Sequence, residues 1–116
     1  MKALLLAMAC LVGLGACGNN PVDTTPRLTA NVRVQDNSFN AKDINLKVGG
    51  TVTWQWVGMD YHSVTFTNLN DANGDPVSSS IRPVGTFQYT FPEAGTYNYY
   101  CLVHGGNMTG SVTVVN

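Results

Sequence analysis

The sequence predicts an all-β protein, a Greek-key β-sandwich of seven or eight strands. Three observations carry this expectation. Apolar residues recur at every second position in short runs, clusters of turn-forming residues separate the runs at near-regular spacing, and no helical period appears once the first residues are passed. At 116 residues the chain has room for one domain. Charged residues make up 11% of it and apolar ones 44%, and the net charge is -1. That composition argues against disorder, a nucleic-acid-binding surface and a coiled coil, each of which needs far more charge.

The N-terminus stands apart from the strands. Lys2 precedes an apolar run from Ala3 to Ala16 that holds no charged side chain. It is shorter than the ~20 apolar residues a membrane-crossing helix needs and ends in small residues, as an export signal does. Leu14-Gly15-Ala16-Cys17 resembles the lipobox of bacterial lipoproteins, which implies cleavage before Cys17 and a diacylglycerol on its sulfur. An ordinary cleavage near Ala16, leaving Cys17 as a free thiol, is the alternative. Residues 1–16 are thus expected to be a lipoprotein signal peptide that takes Cys10 with it. Residues 17–27 read as a lipidated cysteine and a flexible tether, since Asn19, Asn20, Pro21, Thr24, Thr25 and Pro26 offer neither periodicity nor bulk. Residues 28–116 form the folded domain.

Within that domain Leu28, Ala30, Val32 and Val34 alternate with polar residues, the two-residue period of a half-buried strand. Ile44, Leu46 and Val48 repeat it, Gly49-Gly50 reads as a turn, and Val52, Trp54 and Trp56 follow in alternation. His62, Val64 and Phe66 share one parity. A long loop is expected from Thr67 to Gly85, because Asp71-Ala72-Asn73-Gly74-Asp75-Pro76 is a dense turn signal. Phe87, Tyr89 and Phe91, then Tyr97, Tyr99 and Cys101, then Val112 and Val114 complete the strands. Parity places His62 and Cys101 inward at the ends of their strands.

The stretch from Tyr100 to Gly110 holds a thiol (Cys101), an imidazole (His104) and a thioether (Met108), and His62 can join them from a distant strand. Singly, each has a bland reading: Cys101 a small buried hydrophobe, Met108 a gap-filler, His62 a satisfied core histidine and His104 a solvated loop residue. Together, two imidazoles, a thiolate and a weak axial thioether make the ligand set of a blue-copper electron-transfer site. His62 and His104 are the chain's two histidines, which makes chance placement the poorer explanation.

These residues carry a family resemblance. Asp36-Asn37-Ser38-Phe39 leading into Ile44 to Val52, then Gly95-Thr96-Tyr97 through Cys101, and Met108 to Val114, resemble the strands of a cupredoxin of the plastocyanin and azurin kind. The resemblance runs from about Val32 to the C-terminus. It implies one copper ion cycling between Cu(I) and Cu(II), with His62, Cys101, His104 and Met108 as ligands and His104 as the route by which electrons leave. Two departures stand out. The His104 to Met108 spacing matches azurin and is one residue shorter than plastocyanin's, and Ser63 follows the upstream histidine where the family usually has asparagine. A hydroxyl in that supporting position supplies fewer hydrogen bonds than an amide.

The expected function is therefore single-electron transport between redox partner proteins, outside the cytoplasm on the periplasmic side of a bacterial membrane, by a lipid-anchored monomer that is not an enzyme. Transient docking is expected near His104, where Val103, Gly105 and Gly106 make a flat, nearly uncharged patch. Two other readings are open: a copper-binding and delivery protein using the same ligands, and a metal-free β-sandwich binding module.

Overall fold

A computed structural model describes residues 25–116. The expected cleavage site, Cys17 and most of the tether lie outside the described residues. Eight strands form, β1 (Arg27–Gln35), β2 (Ser38–Asn40), β3 (Asp43–Trp56), β4 (Thr65–Asn70), β5 (Pro76–Ser78), β6 (Thr86–Thr90), β7 (Gly95–Cys101) and β8 (Gly105–Val115). They run in the order β2-β1-β3-β8-β7-β4-β5, with β6 also paired to β3. The predicted all-β sandwich is what the chain adopts.

Strand β3 belongs to both layers. Its first half, Asp43 to Lys47, pairs in parallel with Ser111 to Val115 of β8. Its second half, Thr51 to Trp56, pairs in parallel with β1 and antiparallel with β6. The expected turn at Gly49-Gly50 is thus a corner inside one strand and does not reverse the chain. Gly49 takes a φ of 86°, which disfavours a side chain, and a Cβ on Gly50 would stand 2.6 Å from Leu46 Cγ. The two glycines let the strand leave one layer and enter the other.

Residues from both layers meet between them. Trp54 of β3 packs edge-on against Phe66 of β4 and Tyr99 of β7, with ring centroids 5.9 and 5.4 Å apart, and Phe39 of β2 meets Tyr99 at 4.8 Å. Val32, Val34, Leu46, Val52, Val64, Val112 and Val114 fill the remaining core, each essentially without exposed surface. Edge-to-face ring contacts of this kind add about 0.5–1.5 kcal/mol each beyond the area they bury.

Three details differ from the sequence pattern. Leu28 is 61% exposed, because β1 passes a register irregularity between Arg27 and Thr29 before its pairing settles. The stretch expected as one loop from Thr67 to Gly85 contains most of β4 and all of β5, with a further bridge between His62 and Arg82. The turn signal inside it is real: Asp71 Oδ1 accepts from the amides of Asn73 and Asp75. Finally, the ligand-rich stretch is mostly strand. Only Leu102 to His104 form a turn, and β8 begins at Gly105.

Candidate metal centre

The site is built at one end of the sandwich from the segment before β4, the end of β7 and the start of β8. His62 sits in an isolated bridge, its N–H donating to Arg82 O and its C=O accepting from Arg82 N–H, each at 3.0 Å. That carbonyl also accepts from Trp56 Nε1 at 3.2 Å. Trp56 is in turn covered by the Arg82 guanidinium, 5.1 Å from the ring centroid, and Arg82 is held by Ser80 Oγ and Thr86 O. Both backbone polar groups of the histidine are therefore held, and the side chain enters the core fully buried.

Inside, His62 Nδ1 faces Cys101 Sγ at 3.8 Å, and the thiol has no exposed surface. With metal–nitrogen and metal–sulfur bonds of about 2.0 and 2.3 Å, as at zinc sites, two donors on one ion stand roughly 3.5–3.7 Å apart. The observed pair is close to that span. The His104 ring lies beside His62, with centroids 5.1 Å apart and planes inclined by 40°. Its Nε2 is buried and has no hydrogen-bond partner. A stranded buried nitrogen costs about 1–3 kcal/mol, a cost that metal binding would remove. Met108 is 1% exposed and lies in a bulge of β8, since pairing jumps from Tyr100–Thr109 to Cys101–Gly105 and leaves residues 106–108 unpaired with β7.

Three of the four sequence-predicted residues thus meet, His62 and Cys101 in direct contact and His104 ring beside ring, while Met108 is buried in the β8 bulge next to the Cys101 pairing. Among the described residues, no three His, Cys, Asp or Glu side chains stand in an arrangement that by itself would hold a metal ion. The fourth expected donor, Met108, is a thioether and stands outside that set of side chains. The donor chemistry nevertheless fits copper: a buried thiol, an imidazole nitrogen aimed at it, an orphaned imidazole nitrogen and a thioether.

Ser63, also fully buried, ties the two donor segments together. Its Oγ accepts from Leu102 N–H at 2.9 Å and bonds Thr65 Oγ1 at 2.9 Å, which bonds Ser78 Oγ at 2.7 Å. Ser78 Oγ spends its proton on Ser79 O, so each hydroxyl upstream must donate to the next. The chain runs in one direction, from the Leu102 amide to the Ser79 carbonyl.

Sequence reasoning missed Asp36. This residue, in the β1–β2 turn, lies 2.9 Å from His62 Nε2 and also accepts from the amides of Met59 and Asp60. The His62 hydrogen bond, supported by those two amides, holds the carboxyl well below its usual range, at about 2. An aspartate 26 positions before the histidine leaves no local signal of this contact. Trp56 and Arg82 were likewise silent as site residues, although the Trp56 alternation placed its side chain in the core.

Comparison with known proteins agrees with the geometry. The family model of copper binding proteins, plastocyanin/azurin family, matches residues 27–115. Amicyanin-alpha of Methylorubrum extorquens is 28% identical over 112 residues, covering 97% of this chain and 93% of the relative. Plastocyanin of Scenedesmus fuscus is 31% identical over 83 residues, covering 66% of this chain and 85% of the relative. Among solved structures, a reduced Cu(I) form of an amicyanin variant superposes with a TM-score of 0.64 at 28% identity, covering 74% of this chain and 81% of that one. The cofactor of such a domain is one copper ion. On the match across nearly all of its described residues, the chain belongs to the plastocyanin/azurin family of copper-binding proteins.

Proposed function

We propose that this protein is a type 1 (blue) copper protein that carries single electrons between redox partner proteins outside the cytoplasm, with His62, Cys101, His104 and Met108 holding the ion. The observation that carries the reading is the buried His62 Nδ1–Cys101 Sγ pair at 3.8 Å beside the orphaned His104 nitrogen. Bound copper supplies a one-electron couple, Cu(I)/Cu(II), that tolerates both soft sulfur and imidazole donors. The chain's own part is to hold those donors still. The Arg82 bridge and Trp56 fix His62, while the Ser63 hydroxyl fixes the backbone that follows Cys101. Donors held rigidly in both oxidation states need little rearrangement when an electron arrives.

Around the site the surface carries several exposed apolar side chains beside the exposed carboxylate of Asp60 and the partly exposed Asp36. Leu102 and Val103, in the turn that carries His104, are 48% and 50% exposed, and Met59 and Tyr61, in the segment leading to His62, are 87% and 59% exposed. Such a surface suits brief docking of a partner with His104 as the exit for electrons, and weak dependence of docking on ionic strength. No catalysed reaction is assigned, because both histidines of the chain serve this one centre. The apolar leader and the Leu14-Gly15-Ala16-Cys17 sequence support export and lipid attachment at Cys17 on the periplasmic side of a bacterial membrane.

The test is a visible spectrum and a voltammogram. Adding Cu(II) to the purified protein should produce an intense thiolate-to-copper band that Cys101→Ser abolishes, and the loaded protein should show fast, reversible one-electron exchange. A missing band, or a band that survives Cys101→Ser, overturns the copper site. Sluggish redox with ready metal transfer would point to copper delivery by the same ligands. Membrane release of a Cys17→Ser variant tests the anchor separately.

A further inference from the structure

The hydrogen bond between Asp36 and His62 does more than close a turn. An ionised carboxylate only accepts hydrogen bonds, so the proton in this contact belongs to His62 Nε2. In the neutral ring, that leaves the lone pair on Nδ1, the nitrogen that faces Cys101 Sγ. The carboxylate is itself held in a socket. Asp36 Oδ1 accepts from the amides of Met59 and Asp60, each at 3.0 Å, and Oδ2 from Met59 at 3.1 Å. Backbone bonds from Val57 and Gly58 to Val34 O bring that loop onto the β1–β2 turn.

Gly58 is an independent sign that the contact is built. A Cβ there would overlap Asp36 Oδ1 and would stand 2.7 Å from Asp36 Cγ and 2.8 Å from its backbone nitrogen. The loop can close over the carboxylate only because residue 58 has no side chain. The histidine end of the pair is fully buried while Asp36 keeps 34% of its side-chain surface, so the negative charge sits at the wall of the site and screening by water is incomplete.

We propose that Asp36 is a positioning residue for the copper centre, selecting the Nε2–H tautomer of His62 before any metal arrives and strengthening Nδ1 as a donor, which lowers the redox potential of the bound ion. The inference rests on the copper reading above. Partners of this kind, a carboxylate behind a metal-binding histidine, typically contribute 10–100-fold in metal affinity. The more highly charged Cu(II) gains more from an anion-backed ligand than Cu(I) does. A tenfold difference between the two losses is a shift of about 59 mV in a one-electron potential.

Two measurements decide it. Nitrogen-15 NMR of the metal-free wild-type protein should show His62 protonated at Nε2 and unprotonated at Nδ1. Voltammetry of copper-loaded Asp36→Asn should give a midpoint potential higher than wild type by about 59 mV, the tenfold preference converted, with the visible band retained. Asp60→Asn removes the same charge from an exposed neighbour that contacts Asp36 through its backbone alone, and should shift the potential by less than half as much. A ring protonated at Nδ1 in the metal-free protein overturns the proposal. So does an unchanged or lowered potential in Asp36→Asn, or an equal shift in Asp60→Asn. Should Asp36→Asn fail to fold, the wild-type tautomer still decides. A wild-type protein that never turns blue refutes the copper reading instead, and the tautomer measurement tells the two failures apart.

Discussion

Replacing Ser63 with alanine should cost the metal-free domain about 1–3 kcal/mol, the price of a stranded buried donor. The magnitude follows from the direction of the hydroxyl chain. Ser63 Oγ is the acceptor for the Leu102 amide, and alanine leaves that N–H unsatisfied where the upstream and downstream site segments meet. Thr65 loses only an incoming proton and keeps its own bond to Ser78, so its contribution is smaller. For a domain of this size, each kcal/mol moves the melting temperature by about 4–8 °C. The assay is urea unfolding of the reduced, metal-free protein, where the midpoint should fall at unchanged m-value, alongside amide exchange at Leu102, which should speed up. Thr67→Ala is the control: its hydroxyl also bonds the backbone across the sheet, donating to Asn98 O at 3.3 Å, but the site is exposed and the change should stay within about 0.5 kcal/mol. Ser63→Ala behaving no worse than Thr67→Ala would refute the view that the hydroxyl chain ties the two segments together.

Gly110→Ala should destabilise by about 1–3 kcal/mol or more through overpacking, since its Cβ would fall on the Tyr99 Cζ and hydroxyl and 2.7 Å from Lys42 O, while Phe39, Trp54 and Phe66 pin the Tyr99 ring; urea unfolding measures it, and a neutral result would show that the ring can yield. Alkaline titration at 295 nm should find Tyr99 silent while the domain stays folded, because burial pushes its hydroxyl above the ordinary value of 10.0. A folded-state pKa raised in this way means that stability is intact below pH 10 and falls as the pH rises beyond it, a loss that Tyr99→Phe should lessen. Reversible ionisation of Tyr99 with the fold intact would contradict that.

How much of this was legible in the chain depends on the range of the interaction. Alternation in Val52, Trp54 and Trp56, or in Tyr97, Tyr99 and Cys101, announces strands and their buried faces because the side-chain period of a strand is local. The same parity put His62 and Cys101 inward, and both are fully buried. Gly49-Gly50 reads as a turn in sequence but is a corner within β3, since two glycines permit either path and only the neighbours that each half of β3 meets decide between them. Most of β4 was hidden in an expected loop because its partner β7 lies far along the chain, and β5 because it joins β4 through two register pairs separated by an irregularity, with no alternation of its own.

The sequence by itself determined the fold class, the inward faces and the set of chemically able side chains, because these rest on periodicity and residue type. Only the tertiary structure decided which atoms meet: that Ser63 receives the Leu102 amide, that His104 presents its ring to His62, and that Asp36 stands behind the histidine. Those contacts span 26 to 42 residues of chain and depend on angstrom-scale positions set by the packing of two layers, which no local pattern encodes.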